Sequence, residues 1–298
     1  MKLSINTVFH TACPGHERWT PIEAVRFLSE VGFEVLDMNF CGTIGKDTFL
    51  KEPNWREYIL ALNETALALG VEILQSHLPF YNFAAPGCED LEFKAEMFSR
   101  SIEASSLLGV KWAVFHPGNA PDAVLSVKES KRRTLEYLKP FLEQARRAGV
   151  GIALENLFIP EYLHSTHRYC ANVEEICDLA DTLGEGVGVC WDFGHANLIG
   201  DDQRECLRAV GRRLKGVHIH DNNGRHDDHA VPFTSGCTVN WAELLPVLKE
   251  IGYEGHLNLE VVSGRVPYEL HRSYADYVFK TGRHLLSMIA GEIRSEGA

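Results

Sequence analysis

Several things are missing from this 298-residue chain, and each absence removes a class of function. Its eight cysteines form no C-x-x-C pair and are spread along a chain large enough to own a core. That spacing speaks against a zinc–thiolate site and against a disulfide framework, so the cysteines are expected to be reduced thiols, mostly packing residues. No Lys/Arg block stands out, and the formal net charge is -12. Phosphate contacts need a basic face, so a broad nucleic-acid-binding surface is not expected. No apolar run is long enough to span a bilayer. The start of the chain lacks the basic segment, apolar core and small-residue cleavage site of a signal peptide, and reads as a strand. No low-complexity tract or linker divides the chain. A single cytoplasmic domain over residues 1–298, without membrane association, is the expectation.

What is present is a repeated unit: a glycine or turn, a short apolar run, then a polar residue able to bind metal or move a proton. The units are Val31-Gly32-Phe33 to Asp37, Leu69-Gly70-Val71 to His77, Leu108-Gly109-Val110 to His116, Ala148-Gly149-Val150 to Glu155, Gly186-Val187 to Asp192, Lys215-Gly216-Val217 to His218, and Tyr253-Glu254-Gly255 to Glu260. Lys2-Leu3-Ser4-Ile5-Asn6 opens the chain as an eighth. Amphipathic stretches lie between them, near residues 54–69, 90–108, 126–148, 172–184, 202–213, 240–252 and 268–290. Thr20-Pro21-Ile22-Glu23 is a helix start, with Thr as cap, Pro at the first position and Glu at the third. Asn172 is expected to cap the stretch at 172–184, and Asn240 or Thr238 the stretch at 240–252. Strands alternating with helices make a parallel sheet, and eight such units close into an α/β fold of the (β/α)8 type, a TIM barrel. In that barrel the polar strand ends share one rim, where active sites sit.

The loops on that rim are long after strands 1, 3, 5 and 7, and they carry Trp19, Phe80, Tyr81, Phe83, Phe158 and Tyr162. Such rings suit a sugar-binding wall or a lid, and equally suit packing of the loops onto the barrel. Glu155, Asp192, His218 and Glu260 end strands 5, 6, 7 and 8. Adjacent strands are about 4.8 Å apart, so four neighbouring strand ends can aim four side chains at one ion. Three carboxylates and one imidazole favour Mn2+ or Mg2+, with Co2+, Fe2+ or Zn2+ as substitutes, and no organic cofactor is called for. His77, His116 and His195 join the rim as substrate contacts or as groups that orient the ligands. Asp227 and His229 follow strand 7 as candidate additional ligands.

Leu154-Glu155-Asn156, Cys190-Trp191-Asp192-Phe193-Gly194-His195, Val217-His218-Ile219-His220-Asp221 and Leu259-Glu260 together resemble the xylose isomerase-like TIM barrels. That superfamily holds sugar and sugar-phosphate isomerases and epimerases, inosose dehydratases, and abasic-site endonucleases of the endonuclease IV type. The resemblance implies that Glu155, Asp192, His218 and Glu260 hold a divalent metal and that Glu155 and Glu260 are the catalytic acid/base pair. It places His195 and Arg225 near substrate-contacting positions. The family's His-x-x-Pro-Gly-x-Gly loop is altered here to His229-Ala230-Val231-Pro232-Phe233-Thr234-Ser235-Gly236.

The expected activity is therefore metal-dependent isomerisation or epimerisation of a sugar, sugar phosphate or polyol carbonyl compound, by proton abstraction next to the carbonyl through an enediolate. Dehydration on the same scaffold is an alternative. A phosphodiester hydrolase is another, since His77, His116, Glu155, Asp192, His195, His218, Asp227, His229 and Glu260 match all the ligand types of the endonuclease branch. A non-catalytic sugar-binding barrel fits poorly with an intact glutamate pair. Lys46, Arg100, Arg168 and Arg225 are candidates for holding a substrate phosphate. Barrels of this kind often pair, so a homo-oligomer is compatible with the sequence.

Overall fold

Eight parallel strands alternate with helices around one barrel: β1 (Leu3–Asn6), β2 (Val35–Asn39), β3 (Glu72–His77), β4 (Trp112–Phe115), β5 (Gly151–Glu155), β6 (Val187–Asp192), β7 (Leu214–His218) and β8 (Leu257–Leu259). The computed structural model describes residues 1–11, 19–45, 48–85, 87–120, 126–159, 167–264 and 266–292. The strands run in the spatial order β7-β6-β5-β4-β3-β2-β1-β8. The seam between the two ends is held by a parallel bridge, Ile219 to Leu259. There Ile219 N donates to Asn258 O at 2.8 Å and Glu260 N to Ile219 O at 3.0 Å. The TIM barrel expected from the repeat is thus present, as a single domain.

The outer layer contains α1 (Val8–Thr11), α2 (Pro21–Val31), α3 (Trp55–Ala68), α4 (Leu91–Leu107), α5 (Ser126–Ala148), α6 (Val173–Leu183), α7 (Phe193–Ile199), α8 (Gln203–Val210), α9 (Trp241–Glu250) and α10 (Tyr268–Ala290). The periodic stretches of the sequence each became a helix. Thr20 caps α2 in a reciprocal box: Thr20 Oγ1 accepts from Glu23 N at 3.3 Å, and Glu23 Oε2 accepts from Thr20 N at 2.7 Å. Asn172 Oδ1 caps α6 by accepting from Glu175 N at 2.9 Å. Asn240 stands at the start of α9 but makes no side-chain cap; its amide donates to Glu243 Oε1 instead. Two short helices, α1 and α7, were not expected. Each is too short to show a helical period.

Side chains alternate across each strand. Ile5, Leu36, Met38, Ile152, Leu154, Val189 and Leu259 are buried in the main apolar core. Strand register puts the complementary set on the inner wall. There Val114, Ala153 and Cys190 form a small apolar cluster with Trp112. Ser4, Asn6, Asp37, Gln75 and Asn258, on β1, β2, β3 and β8, are polar and almost fully buried. A barrel interior normally filled by branched apolar side chains is here half polar.

The loop from β7 to α9 is stapled by one buried carboxylate. Asp221 Oδ1 accepts from the backbone N–H of Asn222 at 2.8 Å, Thr238 at 3.0 Å and Val239 at 3.1 Å, and Oδ2 from Trp241 Nε1 at 2.8 Å. Within this loop Phe233 has φ 68°, a left-handed conformation at the place where the family's pattern carries glycine. The Phe233 ring packs on His284 of α10 with centroids 5.5 Å apart. The turn is therefore kept without its glycine.

Candidate metal centre and substrate cavity

Glu155, Asp192 and His218 are the last residues of β5, β6 and β7, and Glu260 follows the last residue of β8. Parallel register then places all four at one rim. Each offers a ligand atom within 4.8 Å of the others, and all four are buried. His218 is the hub. Its Nδ1 lies 2.9 Å from Glu155 Oε1, 3.1 Å from Glu260 Oε2 and 3.7 Å from Asp192 Oδ2.

The other ring nitrogen of His218 faces down the barrel, 3.6 Å from Asp37 Oδ2. That carboxylate oxygen accepts from three amides, Asn258 at 2.8 Å, Asn6 at 3.0 Å and Gln75 at 3.1 Å, and the Gln75 amide lies 3.2 Å from the same ring nitrogen. Asp37 and its amides therefore fix the ring from below, leaving Nδ1 toward the carboxylates. Neither Asp37 nor Asn6 is among the site residues expected from the sequence. The available signal was the run of polar residues at alternate positions of β1, β2 and β3, where apolar side chains are the norm.

Two further groups flank the first. On one side, His116 Nε2 is 2.6 Å and His77 Nε2 3.1 Å from Glu155 Oε2. His77 Nδ1 is oriented by the Leu78 carbonyl at 2.9 Å and by Cys41 Sγ at 3.1 Å. On the other side, His195, His220, Asp227 and His229 bring their ligand atoms together. Asp227 Oδ2 lies 3.3 Å from His229 Nε2 and 3.5 Å from His195 Nε2.

These groups floor a cavity of about 770 Å³ whose walls include Asn39, Cys41, Phe80, Asn119, Phe158 and Arg168. Phe80 and Phe158 stand over His116 and His195, with ring centroids 4.6 and 4.9 Å apart. The other aromatic residues of the rim loops serve packing. Phe83 stacks on Tyr137 at 3.8 Å, Tyr81 contacts the same ring edge-on, and Trp19 lies against His10. Tyr162 falls outside the described residues.

Of the four candidate phosphate-binding residues, Arg168 lines the cavity. Arg225 is exposed and is not among the cavity-lining residues. Arg100 is engaged by Glu96 and by the Leu50 carbonyl. Lys46 lies outside the described residues.

The protonation pattern shows what the donor set asks for. Burial opposes charge on Glu155, yet the neighbouring His116 and His218 outweigh it and hold the carboxyl well below its ordinary range. Asp192 and Glu260 are lowered against burial in the same way, by His195 and His220 in one case and by His218 in the other. Burial alone would lower His195 and His229, but their carboxylate neighbours raise them to about 9 and about 10. Three buried carboxylates are thus ionised together and need positive charge among them. In the free chain His195, His218 and His229, all raised, are imidazoles that favour the charged form, whereas burial lowers His116. A divalent cation can take that role, and this oxygen-rich set with one imidazole fits Mn2+ or Mg2+.

A pH dependence follows for chelator-treated protein. The protonated rings of His195 and His229 contribute stability that is complete below the unfolded value of 6.5 and is lost as pH rises through about 9 and about 10. The carboxylates act in the opposite sense: their contribution is present above the unfolded values, 4.5 for Glu155 and 3.8 for Asp192, and is lost as pH falls. The melting temperature of metal-free protein should therefore peak at mildly acidic pH and decline steadily toward pH ~10. A flat profile across the alkaline limb in scanning fluorimetry would contradict this account.

Comparison with known proteins agrees with this architecture. The chain is 31% identical over 189 residues to an uncharacterized protein of Methanocaldococcus jannaschii, a match covering 62% of each chain and so less than two thirds of that relative's length. It is 24% identical over 261 residues to an L-ribulose-5-phosphate 3-epimerase of Escherichia coli, covering 86% of both chains. Among solved structures it superposes on a D-tagatose 3-epimerase-like protein with a TM-score of 0.73 at 23% identity, over 98% of this chain and 99% of the other. Residues 25–277 match the model of the xylose isomerase-like TIM barrel family, and the chain belongs to that family.

Proposed function

We propose that this chain is a divalent-metal-dependent epimerase or isomerase of a sugar or sugar phosphate, working by proton transfer at the carbon next to a carbonyl. The observation that carries this reading is the placement of Glu155 and Glu260. They come from β5 and from the residue after β8, on either side of His218, yet each reaches the same imidazole nitrogen, at 2.9 and 3.1 Å. Two carboxylates that converge from separate strands on one point can serve the two faces of one carbon. The similarity to an L-ribulose-5-phosphate 3-epimerase supports the same chemistry.

Glu155, Asp192, His218 and Glu260 would hold the cation, Mn2+ before Mg2+, Co2+, Fe2+ or Zn2+. When bound there it supplies a Lewis acid for the carbonyl and the adjacent hydroxyl. One glutamate removes the carbon-bound proton, giving the enediolate of the substrate. If the other returns a proton on the opposite face, the centre inverts. If a single glutamate moves the proton to the adjacent carbon, an aldose and a ketose interconvert. His77, His116 and His195 line the cavity beside the pair and would hold substrate hydroxyls. Phe80 and Phe158 shield the reacting carbon from bulk water.

A second reading, phosphodiester hydrolysis over several ions, is favoured by one observation. The groups of His77 with His116 and Glu155, and of His195 with His220, Asp227 and His229, adjoin the first on both sides. Incubation with a ketose panel in deuterated water separates these readings, once the metal content of the reconstituted protein has been counted. One ion per chain, with deuterium entering a substrate carbon and no water lost, supports the epimerase or isomerase. Loss of water with the exchange indicates a dehydratase. Two or three ions, with cleavage of an abasic-site duplex and no ketose exchange, would replace the proposal with the second reading.

A further inference from the structure

We infer that His220 is a positioning residue that sets the orientation of Asp192 for the cation, with Gly194 as the space it requires. This rests on the metal-dependent reading above and extends it to a histidine that the function has not absorbed. His220 is fully buried. Its Nε2 lies 2.9 Å from Asp192 Oδ1 and 3.1 Å from Oδ2, bridging both oxygens. The other nitrogen, Nδ1, is buried and has no hydrogen-bond partner among the described residues. Nε2 is therefore the ring nitrogen that faces Asp192, and an N–H there donates to the carboxylate.

Asp192 has few other donors. Its Oδ1 accepts from His195 N at 2.6 Å, which caps α7, and that bond leaves the carboxylate free to swing about Oδ1. The bond from His220 removes that freedom and keeps Oδ2 turned toward His218 Nδ1, 3.7 Å away. Two features hold His220 itself. Its ring stacks on His229 with centroids 4.0 Å apart and planes 18° apart. Gly194 also lies against the ring, where an added Cβ would stand 2.0 Å from it. No side chain other than hydrogen fits between α7 and this imidazole. His220 thereby also ties Asp192 to the neighbouring group that contains Asp227 and His229.

A hydrogen bond to a ligating carboxylate typically changes metal affinity by about 10–100-fold when it is removed. The test is calorimetric titration of chelator-treated protein with Mn2+, paired with thermal unfolding without metal and with ketose exchange kinetics. His220→Leu should weaken Mn2+ binding by about 10–100-fold, and the metal-free melting temperature should fall, because the Asp192 carboxylate stays buried without this donor. His220→Gln places an amide N–H near the position of Nε2 and should recover most of the affinity. His220→Asn, one methylene shorter, should not, and it serves if the leucine variant fails to fold. Gly194→Ala should weaken Mn2+ binding as the leucine variant does, by pushing the ring off Asp192.

Wild-type Mn2+ affinity in His220→Leu, or in His220→Asn if that is the folded variant, would overturn the proposal and leave the function above standing. A wild-type chain that takes up no divalent ion would overturn both. Weakened binding in the glutamine and asparagine variants alike would also overturn it, since the loss would then follow the ring and not its N–H.

Discussion

Glu155→Gln lowers kcat by about 10²–10⁴-fold, the usual contribution of a positioned general base or acid. The amide keeps the shape of the side chain but cannot take up a carbon-bound proton at neutral pH. Because Glu155 also lies in the candidate ligand group, Mn2+ affinity falls as well, so kcat is to be read at saturating metal. The far-ultraviolet dichroism spectrum stays that of the wild type, since β5 is held by backbone pairing to β4 and β6. Exchange measured from each epimer separately then divides the two mechanisms. In a two-base epimerase, Glu155→Gln and Glu260→Gln each block exchange from a different epimer. In a one-base isomerase, one variant is inactive toward both substrates and the other is much less impaired. Near-normal turnover by metal-saturated Glu155→Gln would remove this residue from the chemistry.

Asp221→Ala destabilises the fold by about 4 kcal/mol, because donors left unsatisfied in the interior cost about 1–3 kcal/mol each and the structure relaxes to recover part of that. Asp221 is 1% exposed and receives three backbone N–H groups and the Trp241 indole. Asn222, Val239 and Trp241 are themselves buried, so their donors cannot reach water without opening the loop between β7 and α9. The same loop presents Asp227 and His229 to the cavity, so weaker substrate binding should accompany the loss of stability. Asp221→Asn keeps the shape and one acceptor, and should fall between the two. Urea unfolding of the three proteins decides the matter, and a loss below about 1 kcal/mol for the alanine variant would show that other bonds hold the loop.

The order of strands and helices was legible because both periods are local. A run such as Gly151-Ile152-Ala153-Leu154-Glu155 shows its strand and its polar end without reference to anything distant. The capping box at Thr20 is contained in four consecutive residues. Eight such units leave little choice of fold, and the rim position of Glu155, Asp192, His218 and Glu260 follows from parallel direction alone. The short helix α7 was not legible, since Asp192 was assigned to the rim and its second task as helix cap depends on a turn of only a few residues.

Other features depended on contacts between residues far apart in the chain. Asp37 and His218 meet because β2 and β7 face each other across the barrel, and Gln75 and Asn258 reach Asp37 from two more strands. Arg225 and Asp227 are two positions apart, yet the cavity takes only the second, because the loop's path is set by the Asp221 staple and the bridge to Ala230. Phe80 and Phe158 cover the cavity while Tyr81 and Phe83 pack on α5, a division that composition cannot make. By itself the sequence determined the (β/α)8 barrel, the rim and the candidate ligand types on it, because these follow from alternation along the backbone. Only the tertiary structure decided which side chains orient the candidate ligands and which loop residues face the cavity, because register, twist and barrel closure bring those groups together across the chain.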